Sequence, residues 1–148
     1  MKPIEHVRAV QKGQAPGPPI AKFLDMCITE SGEGTATMQM PVDGRYANVI
    51  GTLHGGVICD LADAAMGTAF VTTCQEGDTY ATVELKCNFL RPVWKTLLTA
   101  KAWVVSRGKT MGLAECEVRD EQGKLIAKLS STLTLLSGDA AKGRELKE

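Results

Sequence analysis

Histidine is scarce in this chain, with only His6 and His54 among 148 residues. No acidic pair sits at ligand spacing around His54, which argues against a metal site. Aromatic residues are few as well, three Phe, two Trp and two Tyr, so a densely aromatic pocket is not expected. Net charge is absent, because seventeen basic side chains balance seventeen acidic ones. No global field attracts nucleic acid or an anionic membrane, and any anionic ligand has to be held by a local cluster. No apolar run reaches the roughly 18 residues of a membrane span, and "MKPIEHVRAV" lacks the apolar core of a signal peptide, so a cytoplasmic protein is expected. Five cysteines (Cys27, Cys59, Cys74, Cys87, Cys116) include no C-x-x-C pair. A disulfide framework and a structural zinc are both disfavoured, and most of the thiols are expected to be small buried hydrophobes.

What is present is ordinary in bulk, with 44% hydrophobic and 23% charged residues, the balance of a globular domain large enough to bury its own core. Residues 1–19 are polar and end in "QAPGPP", so they are expected to form an arm with at most a short helix, then a linker. Residues 20–136 carry the domain, and residues 137–148 a solvated tail. "MCITES" and "GTATMQMP", separated by Gly32 and Glu33, predict a hairpin. From Gly55 to about Thr73 the chain is rich in Ala, Leu and Met without proline, which predicts a helix. Its apolar residues fall all round the wheel, as in a helix enclosed by protein. "ATVELKCNF" alternates, placing Ala81, Val83, Leu85, Cys87 and Phe89 on one face and Thr82, Glu84, Lys86 and Asn88 on the other. "LLTAKAWVV", "TMGLAECEV" and "KLIAKLSSTLTLL" follow as three more strands, with Leu125, Ala127, Leu129, Ser131, Leu133 and Leu135 sharing a face of the last. The expectation is an α+β fold in which two strands, one long helix and a four-stranded meander make a curved antiparallel sheet around the helix.

The stretch "NVIGTLHGG", followed by "LAD", carries the most specific signal: Asn48, then His54-Gly55-Gly56, then Asp63 nine residues after His54. From Ile20 to Leu136 the chain resembles hotdog-fold acyl-CoA thioesterases of the phenylacetate-pathway, PaaI-like type. The resemblance implies that the Gly55 amide polarises a thioester carbonyl, that Asp63 drives attack and that Asn48 and His54 complete the site. It also matches Thr82 to a hydroxyl residue that helps place the attacking water. Coenzyme A would be part of the substrate, with no separate cofactor, and the acyl group would be phenylacetyl-like or a medium or long fatty chain.

The chemistry suits these residue types. An amide in the first turn of a helix is unpaired and lies at the positive end of the macrodipole, and an oxyanion donor of this kind is typically worth roughly 3 to 4 kcal/mol. Asp63, bracketed by alanines and Met66, is either paired or put to work, as a base that activates water or as a nucleophile that forms an anhydride. Asp60 is the nearer rival; its place close to the helix start suits a structural role. His54 is expected to brace the turn or orient Asn48 rather than act as base. Cys59, five residues after His54, is turned about 140° from it on a helix, which disfavours a cysteine hydrolase.

Arg91 in "FLRP", and Arg107 with Lys109 in "SRGKT", are the candidates for gripping the CoA phosphates. Met66, Phe70 and Leu90 are the candidates for lining the acyl tunnel. Gly55 and Asp63 are eight residues apart on one helix, about 12 Å at 1.5 Å per residue, so they do not easily meet one carbonyl within a chain. Two antiparallel helices about a twofold axis would pair the Gly55 of each with the Asp63 of the other. A homodimer with shared sites is therefore expected, and the resemblance implies dimers or dimers of dimers. Two other functions fit the same fold: a non-catalytic acyl-CoA binding module and an acyl-CoA dehydratase or hydratase. The latter would need an Asp/His acid–base pair, which Asn48, Gly55 and Asp63 do not supply.

Overall fold

The computed structural model describes residues 1–144. Strands β1 (Cys27–Gly32) and β2 (Thr35–Val42) form the expected hairpin. Its turn is Glu33-Gly34, one residue later than the sequence suggests, because Gly34 takes the left-handed φ of 73° that glycine adopts at little cost. Before the hairpin lie helix α1 (Pro3–Gln11) and the short helix α2 (Pro19–Phe23). After it come helix α3 (Gly55–Val71) and strands β3 (Thr79–Phe89), β4 (Thr96–Arg107), β5 (Met111–Arg119) and β6 (Leu125–Leu136). In the tail a single 3-10 turn spans Gly138–Ala141, and residues 145–148 lie outside the described residues. Among the described residues no helix is long and apolar enough to cross a membrane.

All six strands belong to one antiparallel sheet in the order β1-β2-β4-β5-β6-β3. The expected four-stranded meander is corrected here. Only β4, β5 and β6 run as a meander; β3 pairs with β6 at the far edge, and β4 returns to lie beside β2. The helix carries the chain across the whole inner face of the sheet before β3 begins, so neighbours in sequence are not neighbours in the sheet. Strand periodicity alone holds no information about that choice.

Helix α3 packs on the sheet through Leu61, Ala62, Ala65, Met66, Ala69 and Phe70, none of which has measurable exposure. These positions recur with the helical period and make one stripe. They meet Met38 and Met40 of β2, Leu98 of β4, Cys116 of β5 and Leu129 and Leu133 of β6 in a single core. Burying each large member is worth about 1.5 to 3 kcal/mol. The helix is not enclosed all round, however. Asp60 is exposed, and Asp63, Ala64 and Thr68 are half-buried on the opposite face.

Two glycines set how closely α3 approaches the sheet. A Cβ at Gly67 would stand 2.1 Å from the Tyr80 hydroxyl, and one at Gly112 would stand 2.4 Å from the Phe70 ring. Phe70 and Tyr80 themselves meet edge to face, 6.0 Å apart at 63°, a geometry that aromatic quadrupoles favour.

The clean alternation expected in β3 is broken by a bulge between Thr82 and Glu84. Thr82 lies opposite Leu133 and Leu85 opposite Ser131, so both take the helix side of the sheet, while Val83 is left unpaired and exposed. The buried Ser131 hydroxyl donates to the Glu84 carbonyl at 2.8 Å, satisfying a backbone group at the bulge. The consequence is that Thr82, although exposed at the sheet edge, can reach α3.

The two sheet edges differ. Along β1, helix α1 buries Val7 and places Gln11 against the strand. Among the described residues the outer edge of β3 has no such cover, and it exposes Val83 and Phe89, with Leu90 just beyond, the kind of edge that invites another strand.

Candidate active site

The loop before α3 is built around Asn48. Its Oδ1 accepts from the amides of Ile50 at 3.0 Å and Thr52 at 3.2 Å, and its Nδ2 donates to Thr52 Oγ1 at 2.9 Å. Gly51, at φ 86°, closes the turn, and a bridge between Ala47 and Leu53 holds its base. Asn48 is thus the brace of the segment that delivers Gly55.

His54 is the N-cap of α3: its Nδ1 accepts from the Gly56 amide at 3.1 Å. It braces the turn and makes no hydrogen bond to Asn48. The cap serves Gly56, and the His54 carbonyl takes the Val57 amide; the Gly55 amide has no partner among the described residues. Phe89 lies over this turn, its ring 2.9 Å from where a Gly55 Cβ would be, so a side chain at Gly55 would have to displace the ring. Sequence reasoning singles out Gly55 but misses Phe89.

Two turns further along, Asp63 accepts a hydrogen bond from Thr82 Oγ1 at 2.9 Å. Together with Asp60 and Tyr80, Asp63 lines a cavity of about 660 Å³ whose other walls include Ile28, Met38 and Ala64. Although Asp60 is exposed as a residue, partial desolvation of its carboxyl, and then the charge of Asp63, push that carboxyl above its usual value. Asp60 lies beyond the first turn, where the dipole has already faded. Tyr80 is held protonated, its pKa raised to about 12, first by burial and then by the Asp63 charge. No local sequence signal points to Tyr80 at the site.

Asn48 and Gly55 open instead onto a second hollow of about 310 Å³, shared with Phe89, Leu90 and Arg91. Arg91 also borders an adjoining hollow of about 300 Å³ that includes Trp94, Lys95 and Lys124. The structure therefore brings Asn48, Gly55, Leu90 and Arg91 together, and Asp63 with Thr82, but does not join the two groups within one chain.

Four expectations need correction or relocation. Met66 and Phe70 are core residues rather than tunnel lining, because they lie on the sheet-facing stripe of α3 and the cavity is on the other face. Arg107 is used internally: it donates to Thr73 Oγ1 at 3.0 Å and its guanidinium stacks 4.8 Å above the Phe70 ring. Lys109 lies two residues beyond it, far along the chain from Arg91. The cysteines are less uniformly buried than expected, since Cys74 and Cys116 are buried, Cys59 and Cys87 half-buried, and Cys27 exposed. Burial pushes the Cys59 thiol up, the wrong direction for a nucleophile.

Comparison with known proteins decides what this arrangement belongs to. Residues 50–127 match the model of the thioesterase superfamily, more than half of the chain and all of α3. The chain belongs to that superfamily. It is 36% identical over 110 residues to the acyl-coenzyme A thioesterase PaaI of Escherichia coli, covering 72% of this chain and 75% of that protein. It is also 27% identical over 134 residues to the 1,4-dihydroxy-2-naphthoyl-CoA hydrolase of the same organism, covering 90% and 94%. Among solved structures, a thioesterase from Haemophilus influenzae superposes with a TM-score of 0.80 at 26% identity, covering 94% of both chains. The Escherichia coli PaaI protein superposes with a TM-score of 0.81 at 26% identity, covering 91% of this chain and 96% of that one. This thioesterase is accordingly a PaaI-like, hotdog-fold thioester hydrolase.

Proposed function

We propose that this thioesterase hydrolyses acyl-CoA as a homodimer, each site combining the Asn48–Gly55 loop of one subunit with Asp63 and Thr82 of the other. The observation that carries the proposal is the separation within one chain: the free Gly55 amide and the Asp63 carboxylate that Thr82 holds border different hollows. A twofold partner reconciles them. The uncovered β3 edge supports such pairing, and so does the loop tip, where the apolar Val49 and Ile50 are exposed. An isologous dimer buries each of these surfaces twice. Further association into a dimer of dimers rests on the resemblance alone.

In this site the thioester carbonyl oxygen takes a hydrogen bond from the Gly55 amide at the positive end of α3. Water donates to the Asp63 carboxylate and to Thr82 Oγ1, whose own proton is already given to Asp63. A hydroxyl has acceptor capacity to spare after donating. As the water oxygen attacks the carbonyl carbon, its proton passes to Asp63. Collapse of the oxyanion breaks the C–S bond, and Asp63 returns the proton to the departing thiolate, giving the free acid and CoA. Arg91 serves the CoA end together with Lys95 and Lys124, none of which forms an ion pair among the described residues.

The test is release of free thiol from a panel of acyl-CoAs, followed by one turnover in ¹⁸O water. Thiol release with label in the product acid is expected. No release from any acyl-CoA defeats the proposal, and unlabelled acid would replace direct water attack by an aspartyl anhydride opened at the Asp63 carbon.

A further inference from the structure

The cavity beside Asp63 is not walled by the hotdog domain alone. Val10, Gln11, Pro16, Gly17 and Pro18 from the N-terminal arm border the same space as Asp63 and Thr68 of α3. At about 660 Å³ it has the size of a small-molecule pocket. Of the rest of its lining, Ile20, Met26, Ile28 and Met38 are aliphatic or sulfur-bearing, Lys22 and Asp60 are charged, and Tyr80 is the single aromatic residue. This composition suits a flexible alkyl chain better than a ring, for which stacked aromatic walls would be expected.

The arm is attached at few points. Val7 is the one buried residue of α1. At the end of the helix, Gln11 Nε2 donates to the Thr29 carbonyl at 2.9 Å, and Gln11 Oε1 accepts from Ser31 Oγ at 2.6 Å. Thr29 is the residue left over in the β1 bulge between Ile28 and Glu30, so the arm is pinned where the ladder is interrupted. Beyond Gln11 the chain turns through Gly13, at φ 69°, and passes along the cavity as Pro16-Gly17-Pro18. Gly17 lies close enough to Val10 that a Cβ there would touch its Cγ1 at 3.5 Å. The two ends of the loop therefore close on each other over the cavity.

We propose that residues 10–18 form the adjustable wall of an alkyl-chain pocket and set the length of acyl group that this thioesterase accepts. The proposal rests on the functional reading above, because it places the acyl group of acyl-CoA beside Asp63. Each methylene moved from water into such a pocket favours binding about fourfold, so a wall that excludes or admits a few carbons changes selectivity steeply. Fixing the wall with one glutamine leaves that selectivity open to single substitutions. The arm lies outside residues 50–127, which match the superfamily model and hold Gly55, Asp63 and Thr82.

The test is the chain-length profile of kcat/KM over saturated acyl-CoAs from butyryl to stearoyl, measured for the intact chain, Val10→Trp and Gln11→Ala, with thermal melting to confirm that both variants fold. Val10→Trp is expected to move the optimum to shorter chains by about two carbons or more, with a loss of roughly tenfold for the longest substrates. Gln11→Ala, which unpins the wall, is expected to raise the relative kcat/KM of the longest substrates several-fold. Folded variants whose profiles superimpose on that of the intact chain, or a shift to longer chains in Val10→Trp, would overturn the proposal while leaving the thioesterase reading intact. An intact chain that hydrolyses none of the series overturns both.

Discussion

Thr82 donates a 2.9 Å hydrogen bond to Asp63 Oδ1, linking the edge strand β3 to the middle of α3 at the point where a bulge turns Thr82 inward. The bond engages one carboxylate oxygen, and in the proposed mechanism the other takes the proton from water. Thr82→Val keeps the shape and loses the hydroxyl. It is expected to lower kcat by roughly tenfold to a hundredfold, less than the 10² to 10⁴-fold of losing the base itself, with KM little changed. Thr82→Ser should recover most of the loss, and steady-state kinetics on both variants checks this.

Asp63→Asn retains the Thr82 contact but cannot accept the proton. The expected fall in kcat is about 10² to 10⁴-fold, with folding and substrate binding preserved. Asp60→Asn is the companion measurement and should keep most activity, because Thr82 orients Asp63 and not Asp60. A collapse in Asp60→Asn with Asp63→Asn active would exchange their roles.

Asp60 also gives a pH signature. Its carboxyl is raised above the usual 3.8, by burial first and then by the Asp63 charge. The folded state therefore holds this proton more tightly than the unfolded state, and stability falls as pH rises through the carboxylate range. At neutral pH the charged form is a cost that Asp60→Asn removes. The variant should unfold at higher denaturant than the parent at pH 7, and the gap should close below about pH 4. A gap that widens on acidification would contradict the assigned direction.

Gly67 is predicted to be intolerant of any side chain. A Cβ there would meet the Tyr80 hydroxyl at 2.1 Å, and Tyr80 has Phe70 packed against it edge to face. Gly67→Ala should cost about 1 to 3 kcal/mol by overpacking, read from urea midpoints. It should also perturb activity, because Tyr80 borders the cavity with Asp63.

Much of the site is legible in the sequence because its signals are local. His-Gly-Gly opening a helix, an asparagine six residues earlier and a lone aspartate among alanines can be read without knowing the fold. The α+β class and the length of α3 are equally plain. The faces of α3 are not, because a helix that is apolar on nearly every side gives the wheel nothing to sort. Met66 and Phe70 consequently look like tunnel lining when they belong to the core. The strand order is hidden because it depends on where α3 crosses the sheet. The bulge in β3 does leave a trace: Ser131, a polar residue on the otherwise apolar face of β6, marks the place where a backbone carbonyl needs a partner. Such a residue signals a break in the alternation of the strand beside it, and that break is what carries Thr82 to Asp63.

The central claim is that one catalytic centre draws on two subunits, and complementation tests it most directly. Asp63→Asn chains and Asn48→Ala chains, each inactive alone, are co-expressed with different tags and the mixed dimer is purified. Asn48→Ala removes the brace of the Gly55 loop, so the two lesions strike opposite halves of the site. If Gly55 of one chain works with Asp63 of the other, each mixed dimer carries one intact centre and one doubly damaged centre, and about half of the intact activity per dimer should return. A mixed dimer no more active than either parent would contradict the shared site.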